Sequence, residues 1–465
     1  MKQLPLKRTT LRTSRLMEFC SRKELIVQTG HQPSDWPLVI LKELIDNALD
    51  ACEEVGVSPE VTVTVDDAGI TVADNGPGIP ASTIESVLDF SVRVSSREAY
   101  VAPDRGAQGN ALKTIVAMPF ALDGDEGTVL VEAGGTLHTI TMRVDPIRQE
   151  PVITHDTEPS ETKAGSKITV RWPTCGQAVC PDQNDDFLQN DDQDDQFEPR
   201  SLASAKDRFL QLASDYTWLN PHLTLTVKWF GESVKVAATA PDWKKWTPRH
   251  PTSPHWYDEE HLERLIAGYI AHDQDNGHER TVREFVAEFD GLTGSAKQKL
   301  VLGATGLKGQ PLTALMDGSG LDHAKVAELL GAMKDNTRPV PHARLGLIGK
   351  DHFKQRFAEA GCEMETFKYH KVLDETDGRP EILEVVFGWC PKSGDHRRLV
   401  TGVNWSAAII NPFRRLGETG RNLDAMLQQL RCGNDEEVVI VMHIALPRAE
   451  FTDRGKSALV MEGRE

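Results

Sequence analysis

Apolar residues between Leu38 and Glu53 recur three and four positions apart. Leu41, Leu44, Ile45, Ala48, Leu49 and Cys52 line one side of a predicted helix. The period then changes from 3.6 to 2. Val61 to Val65 alternates Val and Thr, Asp67-Ala68-Gly69 turns, and Ile70 to Ala73 returns, a predicted hairpin with one buried face. Across 36–172, helical stretches alternate with short β-branched runs, the pattern of an α/β layer. A helix over 203–216 and a strand over 223–229 follow. Tryptophan and proline crowd 241–254, the composition of an extended linker. From 259 to 333 the pattern is helical, with short helices expected at 281–289, 294–302 and 322–333. Beyond Pro339-Val340-Pro341 strands are expected at 382–389, 400–410 and 438–446, with a helix over 422–430, so a second α/β domain closes the chain. There is no internal repeat.

Composition narrows the class. A chain of 465 residues suggests two to four domains, and 39% hydrophobic with 26% charged residues is the balance of a globular protein. No apolar run approaches the roughly 20 residues of a membrane span. The basic start (Lys2, Lys7, Arg8, Arg12, Arg15) has no apolar stretch behind it, so residues 1–24 read as a solvated or partner-binding arm and not as a signal peptide. Seven scattered cysteines argue for a reducing cytoplasm and against a disulfide framework, and Cys175 with Cys180 has no second pair to make a zinc site. The formal charge of −18 disfavours indiscriminate binding to nucleic acid. Eight of the acidic residues lie in 182–198, a Gln/Asn-rich stretch within the insertion 176–199, leaving −10 for the rest. Such a segment has almost no apolar surface to bury and is expected to be a dispensable, solvated insertion.

Four segments carry candidate chemistry. Glu43, Asn47 and Asp50 recur at i, i+4 and i+7, so they share a face of the first helix, where a carboxylate can polarise water and a carboxamide can ligate a metal. Alone, this is the polar side of an ordinary amphipathic helix. The second strand ends in Asp74-Asn75-Gly76-Pro77-Gly78-Ile79-Pro80. An acid fixed at a strand end can accept from an adenine amino group while bare glycine backbone lies against the ring. Arg105-Gly106-Ala107-Gln108-Gly109-Asn110-Ala111 runs into a helix through Lys113 and Ile115, offering backbone N–H groups to phosphate. Gly165-Ser166 enters another β-branched run. No Gly-x-x-x-x-Gly-Lys-Ser/Thr loop is present.

The order Glu-x-x-x-Asn, Asp-x-Gly-x-Gly, Gly-rich lid, Gly-Ser-x-Ile resembles the motif set of the GHKL ATPases. Lys42 to Ala51, Arg105 to Gly109, Leu219-Asn220-Pro221-His222, Ser253-Pro254-His255, Pro341 to Gly349, and Val441 to Ile444 with Phe451, Thr452, Gly455 and Lys456 are similar to the ATPase (B) subunits of topoisomerase VI in particular. The resemblance runs over roughly 16–460. It implies an α/β (α+β) chain of three parts: a GHKL (Bergerat) ATP-binding sandwich over 1–240, a small helix-two-turn-helix-like domain over 255–338, and an α/β transducer domain over 339–465. It further implies ATP and Mg²⁺ as cofactors and a homodimer formed on ATP binding. DNA would be engaged indirectly, through a DNA-cleaving A-like subunit on a separate chain, in the cytoplasm and away from membranes.

Carried over position by position, the resemblance makes Glu43 the catalytic base and Asn47 the metal ligand. ATP would be bound by Asn47, Asp50, Asp74, Gly76, Gly78, Ile79, Arg105, Gly106, Ala107, Gln108, Gly109, Asn110, Ala111 and Ser166. Lys456 would reach the γ-phosphate from the last domain, as both binding and catalytic residue. Ala111 stands where the lid's third glycine is usual, and Ser166 where threonine is. Nine residues follow Lys456, room for at most ~14 Å of helix at ~1.5 Å per residue, against the long helix with which the family's ATPase subunit continues. Two functions therefore stand. One is the ATPase subunit of a type IIB topoisomerase-like complex; the other is an ATP-gated clamp or switch in DNA repair or defence against foreign DNA.

Overall fold

The computed structural model describes residues 21–88, 99–105, 111–145, 147, 150–173, 202–318, 320–391, 396–416, 421–452 and 458–460. Most of the basic arm, the acidic insertion, the Gly-rich residues 106–110 and Lys456 lie outside the described residues.

Eight strands make the first sheet: β1 Glu60–Asp66, β2 Gly69–Ala73, β3 Glu126–Ala133, β4 Thr136–Asp145, β5 Glu150–Pro159, β6 Ser166–Arg171, β7 Thr224–Trp229 and β8 Glu232–Val236. Their order is β5-β4-β3-β6-β2-β1-β7-β8. Neighbours are antiparallel except β1 and β7, which run parallel. The predicted hairpin is β1–β2, with Val63 opposite Val72. Alternate positions of β1, β3 and β6 are buried, the signature of a sheet with one covered face. The helices Trp36–Val55, Ala111–Asp123 and Lys206–Leu219 supply that cover. The first starts on Pro37 and stops at Gly56, whose φ of 73° lets its N–H cap the carbonyls of Cys52 and Glu53.

Four helices follow, Glu259–Asp275, Val282–Ala287, Ser295–Ala304 and His323–Asp335, with a small hairpin of β9 Met316–Asp317 and β10 Gly320–Leu321 before the last. Their starts are written in the sequence. Asp258 and Asp322 cap two of them, and Thr281 with Glu284 forms a capping box on a third.

The second sheet contains β11 Lys368–Thr376, β12 Arg379–Trp389, β13 Arg398–Val403, β14 Ser406–Ala407 and β15 Val438–Ala445, in the order β11-β12-β15-β13-β14. Every residue of β15 is buried because two clusters need it. Val439, Val441 and Ala445 join the main core, while Val438, Ile440, Met442 and Ile444 pack with Phe413, Leu423 and Leu427 on the other side. The strand expected over 400–410 is two short strands, split by Asn404-Trp405 with φ of 51° and 63°. β11 and the helix Lys350–Glu359 are additions that the hydrophobic pattern does not predict. The sulfurs of Cys362 and Cys390 lie in contact as a disulfide pair, against the expectation from odd and scattered cysteines. Among the described residues no helix is long and apolar enough to cross a membrane.

Candidate nucleotide site

The helix Trp36–Val55 presents its apolar stripe to the sheet and leaves Glu43 and Asn47 partly exposed one turn apart. Neither makes a side-chain hydrogen bond with the described residues, so both remain available to a ligand. Asp46, between them, is buried. Its carboxylate takes hydrogen bonds from Lys42 Nζ (2.7 Å), Ser406 Oγ (2.7 Å) and the Tyr216 hydroxyl (2.8 Å). Burial pushes the Asp46 carboxyl up, but Lys42 and then Arg105 outweigh it and hold it below its usual range.

Asp74 stands where β2 ends. Its Oδ1 accepts from the Gly76 N–H at 2.8 Å and the Ser166 N–H at 3.3 Å, while its own N–H donates to the Ser166 carbonyl at 2.9 Å. The strand end is thereby stitched to the start of β6. Partial burial raises the carboxyl above its ordinary value, against the pull of the Gly76 and Ser166 amides. Gly165, at φ 75°, makes this closeness possible: a Cβ there would lie 1.9 Å from the Asp74 carbonyl oxygen. Gly78, at φ 85°, passes the Gly165 carbonyl, where a Cβ would sit 3.1 Å away. Ile79 packs on the core beside it. The glycines thus let the ends of β2 and β6 close on each other around one oriented carboxylate, the kind of acceptor that can read the amino edge of a purine base. Asn75 has a different task. Its Oδ1 accepts from the Glu60 N–H and its Nδ2 donates to the Ser58 carbonyl, tying the turn to the entrance of β1.

Arg105 and Asp50 pair with each other in this structure. The motif pattern assigns both to the nucleotide, yet their side chains meet in the interior, Arg105 Nη1 on Asp50 Oδ1 at 2.6 Å. The same guanidinium reaches Glu53 and, through Nη2, Asn220 Oδ1 at 2.6 Å. Lys245 Nζ and His222 Nε2 also bond to Glu53, at 2.9 and 3.0 Å. Burial lowers the Arg105 pKa, but Glu53 and Asp50 reverse this and raise it, so the group stays charged in the interior. Such a charge cannot be left alone, and the long helix supplies its partners at 50 and 53. Arg105 therefore anchors residues 99–105 to the long helix and to Asn220.

The described residues thus bring Glu43, Asn47, Asp74, Gly76, Gly78, Ile79 and Ser166 to the long helix and the adjoining ends of β2 and β6, with the segment ending at Arg105 anchored to that helix. Gly106, Ala107, Gln108, Gly109, Asn110 and Lys456 fall outside them, as does the side chain of Ala111. Sequence reasoning missed Glu53, His222, Lys245, Asn404, Trp405 and Ser406. The Leu219-Asn220-Pro221-His222 segment was the available signal for two of the residues holding Arg105, Asn220 and, through Glu53, His222. No group of three His, Cys, Asp or Glu side chains able to hold a metal occurs among the described residues. Mg²⁺ does not need one, since it is commonly held by one or two protein oxygens together with phosphates and water.

Residues 34–175 match the family described as histidine kinase-, DNA gyrase B-, and HSP90-like ATPase. The chain is 32% identical over 157 residues to the B subunit of type 2 DNA topoisomerase 6 from Archaeoglobus fulgidus, a match covering 31% of this chain and 26% of that protein. The Natronomonas pharaonis protein of the same name is 32% identical over 138 residues, covering 28% of this chain and 17% of its own. The chain therefore spans about a quarter or less of the curated relatives it matches. Among solved structures, the 43K ATPase domain of Thermus thermophilus gyrase B in complex with an aminocoumarin aligns over 96% of this chain and 84% of its own, at 11% identity and a TM-score of 0.37. With the motif order and the geometry at Asp74, residues 34–175 are a GHKL-type ATPase domain, distantly and partially similar to the B subunit of topoisomerase VI.

Proposed function

We propose that the chain binds ATP with Mg²⁺ at the turn of Asp74, Gly76, Gly78, Ile79 and Ser166 and hydrolyses it with Glu43 as general base. The observation that carries this reading is the Asp74 carboxylate, fixed by two backbone amides in a glycine-rich turn that lies against Ala51 and Cys52 of the helix that also carries Glu43 and Asn47. Asp74 accepts from the adenine amino group. Asn47 contributes its carboxamide oxygen to Mg²⁺, which neutralises phosphate charge when bound. Gly106 to Ala111 wrap the phosphates, and Glu43 takes a proton from the attacking water. Lys456 reaches the γ-phosphate from the last domain, which acts as a transducer beyond a helix-two-turn-helix-like middle domain. ATP then draws two copies together, and the chain serves as the ATPase component of a topoisomerase VI-like complex whose separate A-like component cleaves DNA. The partial similarity to the topoisomerase VI proteins supports that last step.

Hydrolysis of MgATP by the full chain and by Glu43→Ala tests the site. Loss of a positioned base lowers the rate about 10²–10⁴-fold with nucleotide affinity retained. A variant that hydrolyses at the wild-type rate removes Glu43 from the role. Co-purification with a chain carrying a cleavage tyrosine, followed by ATP-dependent relaxation of supercoiled DNA, tests the assembly.

A further inference from the structure

Three consecutive residues at the turn between β13 and β14, Asn404, Trp405 and Ser406, bond to the segment ending at Arg105, to Asn220 and to the long helix. Asn404 Nδ2 donates to the Asp104 carbonyl at 3.2 Å, immediately before Arg105 and the Gly-rich segment. The Trp405 carbonyl accepts from Asn220 Nδ2 at 2.9 Å, and Asn220 Oδ1 in turn accepts from Arg105. Ser406 Oγ donates to Asp46 and accepts from Lys42 Nζ at 2.8 Å, one helical turn around Glu43. All three residues are buried. The turn is itself held in place: Trp405 N–H donates to His443 Nε2 at 3.1 Å and Asn404 Oδ1 accepts from Leu446 N–H at 2.9 Å, both partners lying on or just after β15. Trp405 sits at φ 63°, a backbone region that bulky residues rarely occupy and that persists where surroundings over-determine it.

We propose that Asn404 and Ser406 are positioning residues for hydrolysis at this site. Through Asp104 and Arg105 the turn fixes the end of the segment 99–105, and through Asp46 and Lys42 it sets the rotation of the helix that carries Glu43. The second domain thus completes the geometry of the base without touching nucleotide through these residues. The inference rests on the ATPase reading above.

The test uses the full chain with MgATP. Ser406→Ala deletes the hydroxyl while Asp46 keeps Lys42 and Tyr216; Asn404→Gly deletes the amide while glycine retains the left-handed backbone. Each is expected to lower kcat about tenfold, within the ~10²-fold that a misplacement of 1 Å can cost, with KM and the dissociation constant for a non-hydrolysable analogue within about twofold of wild type. Ser406→Thr, which restores the hydroxyl, is expected to recover most of kcat. Circular dichroism and melting temperature establish that the variants fold. A Ser406→Ala protein that melts earlier but keeps the wild-type kcat overturns the proposal, because the hydroxyl then only stabilises. A wild-type chain with no affinity for the analogue overturns the ATPase reading and the positioning role with it, whereas normal binding and turnover in every variant overturns the positioning role alone.

Discussion

Arg105 and Glu53 meet fork to fork in the interior: Nη1 lies 2.7 Å from Oε2 and Nη2 lies 2.6 Å from Oε1, with the arginine side chain fully buried and the glutamate 5% exposed. The pair joins the end of the long helix to the segment that leads into the Gly-rich residues. Its geometry is specific to a guanidinium, since an ammonium cannot form two parallel bonds to one carboxylate. Removing the arginine takes a buried ion-pair partner from Asp50 and leaves Glu53 to Lys245 and His222 alone. Arg105→Ala is expected to cost about 3–5 kcal/mol, read as a lower midpoint in thermal unfolding, and Arg105→Lys is expected to restore only part of it. A wild-type midpoint in Arg105→Ala would show that the cluster is solvated.

The same pair gives stability a pH dependence of known sign. Burial raises the Glu53 carboxyl, but Arg105, Lys245 and His222 overcome it and hold the group well below its ordinary 4.5. A depressed carboxyl stabilises the fold above the unfolded value, and that contribution is lost as pH falls through the folded one. Wild type should therefore melt above Glu53→Gln at pH 6–7, and the gap should narrow as pH drops below about 4.5. A gap that is constant with pH would mean that the glutamate acts through packing alone.

Asp74 behaves in the opposite sense. Its carboxyl is raised by burial, so the acceptor for an adenine amino group is lost at a higher pH than for an ordinary aspartate. ATP affinity should weaken on mild acidification in wild type. Asp74→Asn, which exchanges a charged acceptor for a neutral one, should bind about 10- to 100-fold more weakly at neutral pH, the worth of a hydrogen bond to a charged group, and lose that part of the pH response. Titration calorimetry across pH checks both. Equal affinity in the two proteins would take Asp74 out of the site.

Lys456 supplies the prediction for the last domain. If it reads the γ-phosphate, a non-hydrolysable ATP analogue should convert monomer to dimer, or tighten a dimer, more than ADP does. Lys456→Ala should bind nucleotide nearly normally and lose that response. Sedimentation of both proteins with each nucleotide decides it, and identical behaviour of wild type in the two nucleotides would leave no gate.

The elements that carry Glu43, Asn47 and Asp74 were legible because they obey local rules. The long helix has a clean 3.6 period, β1–β2 alternates strictly, and the Asp74 turn is spelled out in Gly and Pro. What stayed hidden depends on distant partners. Arg105 reads as a phosphate ligand because it adjoins glycines, and only the fold reveals three side chains waiting for it inside. β11 is polar at most positions, since it lies at a sheet edge and needs little apolar surface. The break at Asn404-Trp405 sits within an otherwise apolar run, and no propensity favours tryptophan at positive φ. Ser406 carries no local signal at all; its meaning comes from Asp46, 360 residues earlier.

That separation has a consequence for how the protein comes into being. A ribosome adding about 5–20 residues per second releases Ser406 roughly 20–70 s after Asp46, and for that interval the long helix exists without the hydroxyl that holds its buried carboxylate. Asp104 and Asn220 wait similarly for Asn404 and Trp405. Residues of the second sheet thus complete contacts of the first, so a nascent chain stopped short of residue 404 holds the long helix and the Asp74 turn but none of the turn at 404–406 that bonds to Asp46 and Asp104.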